Sequence, residues 1–463
     1  MDADQTNMDV PICRGCAQRD RRIAELESRL KQLEQRLEEL SRSAKRQAAP
    51  FSRGLPKLDP KRPGRKSGDD YGTKAFRSVP PVIDEVHDAP LPRRCPRCGG
   101  QVIATHVDHQ YQVEIPRRPI YRQFNVAVGQ CACCAGRVQG RHALQTSDAL
   151  GCCASQVGPE AQAAVVMLNK ELGLSQGKIS RFFQGFFGIK LSRGGSCQIM
   201  LRAAERCDDN YRAIVQRVQS SAWIVPDETG WRIGGWLAWL HVAVTDNAVA
   251  YLIARERGIE ASALLIGEDY AGKLIHDGWA SYDRFWRAIH QTCLGHLLRR
   301  CHDLLETATR GAVIFPRKVK ALLQEALEAR DLRDSRNMSA KAAVARADAL
   351  QEQMTRLLTP VKTNAANERF CRHLLRHSGQ LFTFLRHKGI DATNFRAEQA
   401  IRPAVVNRKV WGGNRTEAGA VAQSILMTVL FTAAKQGRDA MEFVSQVLRA
   451  LPDHRPLLLP DSG

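Results

Sequence analysis

The chain has no apolar run long enough to span a bilayer: the longest, Ser424 to Ala434, falls well short of the roughly 20 residues a spanning helix needs. An export leader is not expected. The opening MDADQTNMDV is acidic and polar, which excludes a secretory signal and predicts a cytoplasmic, reducing setting. Low-complexity excess is missing, and with 44% hydrophobic and 25% charged residues the composition is globular. Acid is in short supply: 48 Asp and Glu stand against 68 Lys and Arg, a formal charge of +20. A surplus of that size predicts a polyanionic partner, nucleic acid or an anionic membrane, and with no apolar run of spanning length the membrane reading is the weaker. Of the 14 cysteines, six fall in three CxxC pairs, a spacing that points to reduced thiolates and zinc rather than disulfides.

The 463 residues allow two to four domains. Residues 20–42 place Ile23, Leu26, Leu30, Leu33, Leu37 and Leu40 at alternating three- and four-residue intervals. Arg22 and Arg29 stand where a parallel partner would offer Glu27 and Glu34, so the segment reads as a homodimeric coiled coil. CRGC (Cys13, Cys16) lies just before it. Alone it reads as two free thiols; in a parallel dimer four such thiols would suffice for one zinc. From Arg42 to Lys66 there are nine basic residues, one acid and four prolines, a basic linker that cannot bury a core. This gives expected segments of 1–45 for pair and zipper and 46–87 for linker.

Within 88–150, CPRC (Cys95, Cys98) and CACC (Cys131, Cys134) bracket a stretch rich in β-branched residues. Two such knuckles joined by strands predict a zinc ribbon with a closed, structural four-thiolate site, in which Cys133 is the alternative fourth ligand. Residues 151–215 turn helical: one helix ends at Leu172, Gly173 makes a turn, and Ser175 caps a second helix. Lys178 and Arg181 are expected on its surface above Phe182, Phe183 and Phe186, an arrangement resembling a helix-turn-helix for DNA but equally met by helical packing.

Chemistry is concentrated in 216–305. Three strand-like runs (AWIVPDETGWRI, GWLAWLHVAV, VAYLIARE), a helix-like ASALLIGEDY and a short strand KLIHD open an RNase H-like α/β fold. Residues 306–385 read as a helical insertion, 386–425 as the return to the core, and 426–463 as C-terminal helices and tail. Asp227 follows AWIV and Asp277 follows KLIH, 50 residues later; Glu398 lies in the helix-like ATNFRAEQAI. Three carboxylates of this kind suit two hard divalent cations. Glu228, Asp283, Asp303 and Asp391 are local competitors for those places.

At DETGWRI, IHDGWASYDRF, CLGHLLRR and NFRAEQAIRPAVVNRKVWGG the chain resembles the large transposase of the insertion sequence sixty-six family, a branch of the acidic-triad (DDE) transposases. The resemblance runs over nearly the whole length. It implies that Asp227, Asp277 and Glu398 are the catalytic triad, with Mg²⁺ or Mn²⁺ as cofactor beside the structural Zn²⁺. It implies DNA, both element ends and target, as substrate for cleavage and strand transfer, a bacterial nucleoid-associated location, and two small accessory proteins encoded nearby. Arg402, Arg408 and Lys409 are expected to hold phosphates of the cut strand. Cys293 and His296 are retained from the family's CWAH-type segment and read as supports beside the active site. Two departures are that segment's lost aromatic and Gln399, which replaces a basic residue beside the glutamate. A catalytically inert zinc-ribbon DNA-binding descendant is the alternative, and a nuclease without strand transfer is a third reading.

Overall fold

The computed structural model describes residues 22–30, 32–33, 78–116, 118–145 and 157–458. Cys13 and Cys16, the zipper beyond Leu33 and most of the basic linker lie outside the described residues. The chain divides into two units, Met1–Ile115 and Pro116–Gly463. In the first, residues 22–30 form helix α1, and Ile23, Leu26 and Leu30 on it are exposed. The same unit carries the Cys95–Cys98 knuckle, closed by an isolated bridge between Arg94 and Gln101.

The second unit is a mixed α/β fold. It opens with a small antiparallel pair, β1 (Val128–Gln130) and β2 (Arg137–Gln139), around the second knuckle. The β-rich stretch expected between the knuckles is thus reduced, among the described residues, to short ladders at each turn. Four helices follow: α2 (Pro159–Lys170), α3 (Gln176–Phe187), α4 (Arg193–Arg206) and α5 (Asp208–Gln219).

The central sheet begins as a meander of β3 (Trp223–Ile233), β4 (Trp236–Val244) and β5 (Val249–Ala254). Gly234 and Gly235, both at positive φ, make the tight β3–β4 turn. After α6 (Ile259–Ile266), β6 (Lys273–His276) adds parallel to β3, and β7 (Ile289–Thr292) adds parallel to β6. The strand order is β5-β4-β3-β6-β7. Helix α7 (Leu294–Thr307) leads into a helical insertion of α8 (Ile314–Asp334), α9 (Ala340–Leu358) and α10 (Ala365–Arg376). The short α11 (Thr383–Arg386) returns the chain to α12 (Phe395–Trp411), α13 (Glu417–Lys435) and α14 (Ala440–Arg449).

Both faces of the sheet are covered, which is why its strands read as near-continuous apolar runs. Val225, Trp231 and Ile233 join the core beneath α7 to α12, whereas Ile224, Ala243 and Ala250 join that of α2 to α6, α13 and α14. The helix-turn-helix-like segment therefore shares one core with the C-terminal helices, and α13 runs straight through the expected boundary at 425/426. Against the expectation from the shorter run Ser424–Ala434, the whole of helix α13 is long and apolar enough by composition to cross a membrane, yet it is mostly buried in the fold. Its hydroxyls explain why. Ser424, Thr428 and Thr432 accept from the backbone N–H groups of Ile253, Tyr251 and Val249 at 2.9, 2.9 and 3.1 Å. Four helical residues rise about 6 Å and two strand residues about 6.6 Å, so this spacing matches the alternate N–H groups of edge strand β5. The edge is thereby closed to further pairing.

Candidate active site

Strands β3 and β6 pair in parallel with Trp223 opposite Lys273 and Ile224 opposite Leu274. Asp227 and Asp277 each lie three residues beyond the second pair, so the same register carries both carboxylates to one level of adjacent strands. Asp227 is still laddered to Val242 on β4, and its Oδ1 accepts from the Glu228 N–H at 2.9 Å. Asp277 sits just past β6, where Gly278 at φ 89° turns the chain and the Trp279 N–H donates to Asp277 Oδ1 at 2.8 Å. Burial pushes the Asp227 carboxyl up to about 7, helped by the negative charges of Glu228, Asp277 and Glu398 and opposed by the Glu228 N–H.

Glu398 lies in the first turn of α12 and faces α7. Arg299 Nη2 is 2.9 Å from its Oε1, and His296 Nε2 is 3.6 Å away. Burial and Arg299 hold the His296 imidazole below its usual range, while Asp277 and Glu398 pull it back up. His296 Nδ1 is buried without a hydrogen-bond partner. Cys293 is buried at the N-terminus of α7, its N–H bonded to His276 O at 2.7 Å. Among the described residues no three His, Cys, Asp or Glu side chains close around a point that would hold an ion. Glu398 has a cation in Arg299, and like charges on Asp227 and Asp277 give it no reason to approach them.

Beside the pair lies a clasp absent from the sequence reading. Glu228 accepts from Arg257 Nη2 and Nε at 2.7 and 3.1 Å and from Tyr282 Oη at 2.7 Å. The Arg257 guanidinium lies 4.7 Å from the Trp239 ring and 4.3 Å from the Trp279 ring. Charge, hydrogen bonds and two aromatic faces thus bind β3, β4 and the turn after β6 together. Glu228 is consumed here, Asp283 pairs with Arg376 and Asp391 with Arg396. Trp231 is core, its indole N–H donating to Asn414 Oδ1 at 2.8 Å, whereas Trp236 is exposed at the hairpin.

The expected phosphate ligands divide. Arg402 and Lys409 are exposed on α12, and Lys178 and Arg181 are exposed on α3. Arg408 is turned inward instead: its Nη1 donates to Gly230 O and Thr229 Oγ1, tying α12 to β3. Phe183 is buried as expected, but Phe186 is exposed and stacks on Phe182 at 4.7 Å. The α2–α3 turn is seated on α12, where Asn407 Nδ2 donates to Lys170 O at 2.7 Å.

Each cysteine knuckle has the same local form. The Cys95 N–H donates to Gly100 O and the Gly99 N–H to Cys95 O; the Cys131 N–H donates to Gly136 O and the Ala135 N–H to Cys131 O. Gly99 and Ala135 occupy the same positive-φ position. Backbone N–H groups lower the Cys95 thiol through Arg97 and Cys98, and the Cys131 thiol through Cys134 and Cys133. The shared pattern makes Cys134, not Cys133, the counterpart of Cys98.

No curated protein matches the chain. Residues 154–422, more than half of its length, match the family model described as Transposase IS66 family.

Proposed function

The chain belongs to the IS66 transposase family, and from that premise we propose that it is a DNA strand-cutting and strand-transferring enzyme whose centre is Asp227, Asp277 and Glu398. The observation that carries this reading is the strand register that sets Asp227 and Asp277 at one level of adjacent parallel strands. The strand order, three antiparallel strands followed by two parallel ones on the β3 side, supports an RNase H-like core.

The donor set fits hard divalent cations. A carboxyl pushed up to about 7 by burial, and further by its acidic neighbours, is a group that a cation would relieve. Asp227, Asp277 and Glu398 would hold Mg²⁺ or Mn²⁺, which supplies acidified water and neutralises phosphoryl charge when bound. The protein's own part is positional. The Arg257 clasp fixes the backbone beside both aspartates, Arg408 anchors α12 to β3, and Arg299 holds Glu398 at the rim. Exposed Arg402 and Lys409 on the same helix are suited to phosphates of the scissile strand. For Cys95, Cys98, Cys131 and Cys134 the zinc reading rests on the matched local geometry of the knuckles, and one zinc per chain in metal analysis is expected.

The test is cleavage of DNA carrying the element's own ends, with and without Mg²⁺. Glu398→Gln should abolish Mg²⁺-dependent cleavage and leave DNA binding nearly intact. Equal loss of both would assign Glu398 a folding role and overturn the reading.

A further inference from the structure

Away from the carboxylates, a cavity of about 970 Å³ opens in the helical insertion between α8, α9 and the segment entering α10. Its size is at the upper end of the roughly 300–1,000 Å³ typical of small-ligand sites. Ile314, Phe315, Leu322 and Leu357 give it apolar walls. Asn367, also lining it, is 4% exposed. Its Nδ2 donates to Ala312 O at 2.7 Å, which fixes the orientation of the amide. The Oδ1 is left buried with no donor. An orphaned acceptor in a buried position is costly unless a ligand or water meets it.

The charge left unpaired at the rim is positive. Glu325, the acid of the lining, is engaged by Arg346, and Arg356 is engaged by Glu352. Lys362 is bonded to Leu357 O and lies 5.0 Å from the Phe315 ring. Lys318 and Arg310 remain exposed, with no acidic partner among the described residues. Arg310 holds φ at 52°, a left-handed conformation that non-glycine residues adopt at a cost.

We propose that this cavity receives one unstacked nucleotide of the DNA substrate. Its base lies against the apolar wall and donates a Watson–Crick-edge N–H to Asn367 Oδ1, and its phosphate meets Lys318 and Arg310. The chemistry of the cavity selects this ligand: an apolar plate, one acceptor at depth and two cations at the mouth match base, edge donor and phosphate. The inference rests on the DNA-processing reading above, and its test keeps the two apart.

The full-length chain is mixed with a short single-stranded oligodeoxynucleotide carrying one 4-thiothymidine, whose N3–H is a donor, and irradiated. Cross-linked peptides are then mapped by mass spectrometry, and total affinity is read by fluorescence anisotropy. The wild type should cross-link within residues 309–322 or 353–367. Ala321→Trp, which fills the cavity from an exposed wall position, should cut that cross-link about ten-fold while total affinity changes by less than about two-fold. Lys318→Ala should reduce it several-fold. Cross-links mapping elsewhere, or a yield untouched by Ala321→Trp, would overturn the cavity proposal and leave the DNA reading standing. Absence of any DNA binding by the wild type would overturn both.

Discussion

Asp227 is where burial and like charge meet. Its carboxyl, ordinarily near 3.8, is pushed up to about 7 in the folded chain. Between those values the folded state keeps a proton that the unfolded chain has released. Metal-free stability therefore loses this contribution as pH rises from about 4 to about 7. Asp227→Asn removes the penalty. Without metal, the variant should exceed the wild type at pH 8 by on the order of 2 kcal/mol, an advantage that shrinks to nothing by about pH 4. Urea unfolding of both proteins across that range, in chelator and then in Mg²⁺, measures it; Mg²⁺ should erase the difference at pH 8. A constant difference across the range would show that Asp227 is not the titrating group. Asp227, Asp277 and Glu398 are singled out in the sequence by the family resemblance of the motifs around them; the local pattern, an apolar strand before each aspartate and a helical run around the glutamate, does not by itself separate them from Glu228, Asp283, Asp303 and Asp391. The clasp was not legible. Arg257 is 29 residues from Glu228, and only the fold brings its guanidinium between Trp239 and Trp279.

Among the elements, the strongly apolar strands and amphipathic helices declare themselves by periodicity, and the α2–α3 turn by Gly173. Strand β7 does not, because IHQT is polar. Its Gln291 is nonetheless buried, donating to Thr292 O and Leu381 O and accepting from the Phe384 N–H at 2.9 Å. Nor does spacing alone reveal that Ser424, Thr428 and Thr432 serve a strand edge, since the partner lies more than 170 residues away. The α2–α3 turn offers a sharper test. Gly173 has φ at 70°, and a Cβ there would stand 2.2 Å from Asn407 Oδ1 on α12. Gly173→Ala should destabilise by about 2 kcal/mol or more. Gly185→Ala, on a helix with open space around it, should be neutral or gain about 0.5–1 kcal/mol. Thermal unfolding of both variants decides the matter; equal effects would mean that the turn is not seated on α12.

At the scale of the whole molecule, a charge of +20 and a family that acts on DNA agree on the partner. The exposed Ile23, Leu26 and Leu30 on α1 are consistent with a zipper that joins two copies. Light scattering should find a dimer, and Leu26→Glu with Leu30→Glu should give a monomer with unchanged cleavage-core stability; a wild-type monomer at micromolar concentration would end the zipper reading. The divalent ions proposed to be shared by Asp227, Asp277 and Glu398 can be located directly. Fe²⁺ substituted for Mg²⁺ and treated with ascorbate and peroxide releases hydroxyl radicals where the metal sits, and these sever the nearby backbone. Sequencing of the fragments should place the cuts around residues 227, 277 and 398, with all three suppressed by excess Mg²⁺ and lost in Asp277→Asn. Cuts elsewhere, or cuts indifferent to Mg²⁺, would contradict the shared metal centre.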